Sequence, residues 1–260
     1  MWTSTICLVH RLYTIRRLQL TFSTFQTTFI SGIVVTNIIQ TVFGTSVLLV
    51  ASFRGGFHND STLCQMEGFV ISASAFLFIN QLTVLCVCSG RPKGSSFLRS
   101  TPALMLLCLA GGIILSALPF FGVGKYAVQR TKRFCCLNWE STNNADKMYF
   151  YILFTLEFTI PFILVVCSKI TRMARKQCNG EKFVRNEKCI GIENVIWIAV
   201  VYMVMWMPYG VHVLLVLCGV HTPEYVELVV LLVALSSFAV TPFMLSRELR
   251  QVARLKGAGH

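Results

Sequence analysis

The chain has 260 residues, of which 55% are hydrophobic and only 13% charged, against about 25% charged in an ordinary soluble domain. With a mean hydropathy of +0.66, this composition excludes a typical soluble enzyme or binding domain and reads as an all-α integral membrane protein. The net charge of +12 suggests nucleic acid at first, but the basic residues fall in short segments between apolar runs. That distribution reflects membrane topology rather than one basic face, so no nucleic-acid partner is expected.

In chain order, Met1–Val9 is apolar but short, and Arg11, Arg16 and Arg17 follow it. A cleavable signal peptide has the opposite arrangement, with charge first and small residues last. Six apolar spans come next, at Phe25–Phe53, Cys64–Cys88, Pro102–Phe121, Met148–Lys169, Ile190–Leu217 and Tyr225–Leu245. At about 1.5 Å per helical residue each can cross a hydrocarbon core of about 30 Å. The first carries Thr, Ser, Gln and Asn, which places it inside the bundle, because polar residues in a span must face other helices or water. The whole chain, 1–260, reads as one transmembrane helical domain, with no internal repeat and no Gly/Ser-rich linker.

Seventeen of the 23 Lys and Arg residues lie on the side that holds the N-terminus. The positive-inside rule makes that side cytoplasmic, with both termini there. Five of the six exceptions sit in one outer loop, Gly122–Lys147. Asn59-Asp60-Ser61 is a glycosylation sequon on the outer side, where disulfides are also permitted for Cys64 and Cys135. Of the 11 cysteines, Cys86, Cys88, Cys108, Cys167 and Cys218 lie in apolar runs and read as small buried hydrophobes. No cysteine or histidine spacing suits a metal, and no Ser, Cys or His constellation suits an enzyme. A transporter or channel would need inverted repeats or several mid-span charges, and only Glu157 comes near that.

Four stretches, taken in order, resemble the rhodopsin-like (class A) G-protein-coupled receptors, and within them the opsins. Cys64-Gln65-Met66-Glu67-Gly68-Phe69 looks like the start of the third receptor helix. Leu118–Tyr126 looks like the end of the fourth, Cys135-Cys136-Leu137-Asn138-Trp139 like the second outer loop, and Trp206-Met207-Pro208-Tyr209 like the sixth-helix switch. The resemblance implies a seven-transmembrane receptor-type bundle, with about six complete spans in this chain. It also implies a disulfide from Cys64 to Cys135, and a ligand pocket near Glu67, Glu157, Trp206, Tyr209 and the seventh-helix position Leu235. Glu67 matches the counterion of the retinal Schiff base; the residue alone reads equally as a solvated or protonated acid. Glu157, four residues before Pro161, either lines the same pocket or is protonated or paired.

The departures shape the functional reading. The retinal-attachment lysine falls at Leu235, and Tyr225–Leu245 contains no lysine. A Schiff base needs an amine, so no covalent retinal cofactor is expected. The inner end of the third helix reads Cys88-Ser89-Gly90 in place of acidic-Arg-aromatic, with Arg91 two residues further on. Thr241-Pro242-Phe243-Met244-Leu245 stands for Asn-Pro-x-x-Tyr, Asn37 for the second-helix Asp, and Lys169 for the fifth-helix Tyr. Ser89, Arg91, Lys169 and Arg172 are the residues placed to face a heterotrimeric G protein. The basic segment Lys169–Lys188 suits acidic lipid head groups as well. Met1–Val9 matches only the last turns of a first receptor helix, as expected of an N-terminally truncated product or of a six-helix protein.

Two functions follow from the resemblance. One is an opsin-like receptor at the plasma membrane, signalling through a small, unidentified ligand or degenerate. The other is a truncated, non-signalling protein that pairs with other receptors or is retained in the endoplasmic reticulum.

Overall fold

The computed structural model describes residues 24–53, 55–57, 62–88, 100–130, 132, 134–141, 143–186 and 190–257. Asn59, Ser89, Arg91 and Met1–Val9 lie outside the described residues. The described helices are α1 (Thr24–Ile39), α2 (Thr45–Phe53), α3 (Thr62–Cys88), α4 (Thr101–Ala117), α5 (Asn144–Phe154), α6 (Ile160–Asn186), α7 (Ile190–Leu217) and α8 (Glu224–Gly257). A π-helical turn, Gln40–Gly44, joins α1 to α2, and a second, Thr155–Thr159, joins α5 to α6. Between α4 and α5 the chain forms an antiparallel hairpin of β1 (Tyr126–Val128) and β2 (Cys135–Leu137), with Tyr126 opposite Leu137 and Val128 opposite Cys135.

Six stretches are long and apolar enough to cross a membrane: Phe25–Gly44, Thr62–Cys88, Thr101–Phe121, Asn144–Ala174, Val195–Leu217 and Glu224–Glu248. With these helices the chain is an integral membrane protein, because a helix satisfies its own backbone hydrogen bonds in lipid.

The spans differ in burial, and the difference sets the architecture. The apolar window of α3 is 78% buried, that of α4 only 17%. So α3 is the central post, packing against α1, α4, α6, α7 and both strands. Its small residues Gly68, Ser72, Ala73, Ser74 and Ala75 let those neighbours approach closely. The outer face of α4, with Leu106, Leu107 and Ile114, is left for lipid. In α1 and the π turn after it, the polar residues Thr36, Asn37, Gln40 and Thr41 are buried.

Local chemistry explains most of the breaks. Pro102 starts α4, where a missing N–H costs nothing, and Gly122, at φ 86°, ends the short 3-10 turn that follows. Asn143 caps α5 by accepting the Ala145 N–H at 3.1 Å. The π turn Thr155–Thr159 stands directly before Pro161. Proline cannot bond the carbonyl four residues back and crowds it, and the extra residue in the turn relieves the conflict. Further along, α6 continues to Asn186 through the basic segment that the sequence places in an inner loop. Its Lys, Arg, Gln and Glu residues are good helix formers, and a lone Gly180 does not stop them.

The core forms two main apolar clusters stacked along the bundle. One holds Phe78, Tyr202 and Phe238, with Phe78 and Tyr202 stacked at 4.7 Å. The other holds Tyr126, Leu137, Phe150, Tyr209 and Leu231.

Gly68 is where α3 meets the hairpin. A Cβ there would stand 2.4 Å from Cδ1 of Tyr126. That ring is pinned, because its hydroxyl donates to the Ser116 carbonyl at 2.7 Å. We expect Gly68→Ala to destabilise the protein by about 1–3 kcal/mol through overpacking. It should appear as a lower unfolding temperature in detergent; an unchanged midpoint would show that hairpin and helix are not in close contact.

Candidate ligand pocket beneath the outer hairpin

A cavity of about 100 Å³ lies in the bundle under the hairpin. Its roof is Cys136, Leu137 and Trp139; its sides are Ile71, Ser72 and Ala75 of α3 and Phe154 and Phe158 of the α5–α6 segment; its floor and far wall include Tyr202, Trp206, Tyr209 and Gly210 of α7. The wall is almost wholly apolar, and none of these described residues is a lysine.

Two attachments hold the roof. Cys64 and Cys135, 71 residues apart, form a disulfide with their Cα atoms at 5.2 Å. One turn further along α3, Glu67 accepts the backbone N–H of Cys135 at 3.2 Å. Glu67 is 1% exposed, and it sits under the hairpin rather than against the cavity. The roof then reaches α7, where the Trp139 indole donates to the Tyr209 hydroxyl at 2.7 Å. Trp206 donates to Ser237 of α8 at 3.0 Å and meets the Tyr209 ring edge-on at 5.9 Å.

Glu157 is the cavity's one carboxylate, 8% exposed and seated in the π turn. Asn80 of α3 donates its amide to both carboxylate oxygens, at 3.3 and 3.1 Å. Leu235 does not line the cavity; it packs, half-buried, against both apolar clusters. Of the residues picked out for a pocket, the fold therefore brings Glu157, Trp206 and Tyr209 to one space and sets Glu67 and Leu235 beside it.

Asn80 and the Phe154/Phe158 pair, stacked at 5.1 Å, carry no site motif in the sequence, and Trp139 stands there only as part of the outer-loop motif. Asn80 carried a usable signal, being an amide within an apolar span.

Trp139 also lines a second, smaller and polar cavity on the outer side, with Arg130, Glu140, His212 and Glu227. There Arg130 pairs with Glu140 and donates to the Thr222 carbonyl at 3.2 Å. Toward the other end of the bundle, Lys169 Nζ stands 3.7 Å from the centre of the Trp197 ring. Arg172 donates to the Cys86 carbonyl at 3.2 Å, close to the end of α3 where helix carbonyls lack partners. Among the described residues, no group of three or more His, Cys, Asp and Glu could hold a metal.

In sequence, the chain is 24% identical over 199 residues to pinopsin of Gallus gallus, covering 71% of this chain and 56% of that protein. It is 25% identical over 237 residues to the GQ-coupled rhodopsin of Mizuhopecten yessoensis, covering 80% of this chain and 48% of that one. The chain thus spans about half the length of the curated relatives it matches. No protein-family model matches it. The crystal structure of squid rhodopsin superposes with a TM-score of 0.76 over 96% of this chain and 79% of that one, at 16% identity. That superposition establishes a rhodopsin-type helical-bundle fold, in which six described stretches are long and apolar enough to cross a membrane. With the sequence likeness added, the chain is opsin-like in both sequence and fold.

Cys136 provides a check on the closed roof. Burial pushes its thiol up to about 12, although the Tyr209 hydroxyl beside it favours the thiolate. Alkylation needs the thiolate. With the protein folded at pH 8, maleimide should therefore label the exposed Cys218 and spare Cys136, as peptide mass mapping would report. Equal labelling would mean that the roof opens freely.

Proposed function

We propose that the chain is an opsin-like G-protein-coupled receptor whose small lipophilic ligand is held non-covalently in the cavity beneath the hairpin. The observation that carries this reading is the cavity wall, which is aromatic and aliphatic, roofed by the hairpin and without a primary amine. Retinal is the cofactor that the opsin resemblance implies, and its Schiff base requires an amine. Leu235 stands at the attachment position by motif, and α8 has no lysine before Lys256. The residues present do not fit a covalently bound retinal.

The floor of the cavity offers a route to signalling. A ligand there would bear on Trp206, whose indole is tied to α8 through Ser237. Two residues on, Pro208 leaves α7 without one backbone bond, so the helix can swing at that point. The receptor reading makes a heterotrimeric G protein the partner at the cytoplasmic ends, with membrane lipids around the bundle. Lys169 and Arg172 would lie on that side, although Arg172 is engaged by the Cys86 carbonyl.

The test is second-messenger output in cells expressing the chain, with and without 11-cis-retinal, in dark and light, alongside surface staining. We expect no retinal- and light-dependent signal, and no retinal fixed to the protein after borohydride reduction. A light-dependent signal together with a reduced adduct would overturn the non-covalent reading. Silence with retention in the endoplasmic reticulum would instead favour a non-signalling protein that pairs with other receptors.

A further inference from the structure

We infer that Glu157 is an ammonium-binding residue, and that the cavity takes a small amphipathic amine, its protonated nitrogen at Glu157 and its apolar body among the aromatic rings. The inference rests on the ligand-pocket reading above and names the ligand class for that pocket.

The starting point is an imbalance of charge. A carboxylate within a membrane span is costly and persists where it has a partner or a task. Glu157 faces a cavity lined by no Lys, Arg or His, and its hydrogen-bond partner is the neutral Asn80 amide. Two carboxylate oxygens offer about four acceptor sites. The single Asn80 nitrogen serves both oxygens from one side, which leaves acceptor capacity for a donor arriving through the cavity. An ammonium supplies three donors and the missing positive charge.

The walls fit the same chemistry. Phe154, Phe158, Tyr202 and Trp206 line the cavity that Glu157 faces. Aromatic faces attract a desolvated cation by about 2 kcal/mol or more, and an apolar body packs against them equally well. A ligand anion would meet the Glu157 carboxylate in this apolar surround and be repelled. A neutral alcohol would gain the packing but not the charge pairing.

Two backbone features make the arrangement possible. Glu157 shares the buried helix face of Phe150 and Leu153, seven and four residues before it, while Thr155 and Leu156 stay exposed on the outside. Opposite, Gly210 contributes no side chain, and a Cβ there would stand 3.2 Å from the Phe154 ring. The space beside that ring exists because position 210 is glycine.

The test uses the full chain in lipid nanodiscs and three probes matched in size, 2-phenylethylamine, 2-phenylethanol and 3-phenylpropionate, read by the ligand-induced rise in unfolding temperature. We expect the amine to reach half its effect at a concentration at least about tenfold below the alcohol, and the carboxylate to have no effect. In Glu157→Gln the amine should fall to the level of the alcohol while alcohol binding persists, and Gly210→Leu should weaken both. Equal potency of amine and alcohol in the wild-type chain would overturn the assignment of Glu157 and leave the pocket standing. The same holds if Glu157→Gln keeps the preference for the amine. If none of the three probes stabilises the folded wild-type chain, both the pocket and its amine fall. The wild-type comparison stands even if a variant fails to fold.

Discussion

The attachment of the outer hairpin to α3 is the constraint on which the rest of the structure depends. The Cys64–Cys135 disulfide fixes β2 to the first turn of the most buried helix in the bundle. Closing a loop of that length typically contributes about 2–4 kcal/mol. Glu67 adds a directional contact by taking the N–H of the same Cys135; a buried donor left unmade would cost about 1–3 kcal/mol. With Cys135 fixed, its neighbours Cys136 and Leu137 line the cavity, and Trp139 is within reach of Tyr209. Without the attachment, the apolar cavity would open to water on the outer side.

The cavity beneath depends in turn on departures from regular helix. Pro161 follows a π turn that holds Glu157, and Pro208 removes one backbone bond from α7 next to Trp206. Such irregularities are tolerated at membrane depth where the freed backbone groups face protein or a cavity. Here they occur around one space, and the regular helix α3 forms one of its sides. Trp139 separates this apolar space from the polar outer cavity of Arg130, Glu140, His212 and Glu227.

Different parts of this arrangement were legible in the sequence to different degrees. The apolar spans, the outward Cys64 and Cys135, and the Trp206–Pro208 pair could be read from residue type and order. The fate of Lys169–Lys188 could not, because basic residues between spans suit a loop and a protruding helix equally. The choice of Cys135 over the adjacent Cys136 came from a motif resemblance, and in the fold only one of the two faces Cys64 while the other faces the cavity. Glu67 shows the limit of motif reasoning, since its position matches a counterion but its carboxylate binds a loop N–H.

By itself, the sequence determined the class of solvent the chain lives in and the placement of its membrane-length helices. Both follow from local properties, namely apolar length and the need of each backbone group to find a partner within its own segment. Tertiary structure alone decided which polar groups meet. Asn80 and Glu157 are 77 residues apart, and whether they share a hydrogen bond or face opposite sides depends on how their two helices are rotated and packed, about 100° per residue of register. The same holds for Leu235, set beside the cavity by the packing of α8 on α7. Rotation and packing are properties of the whole bundle, and no local stretch of sequence encodes them.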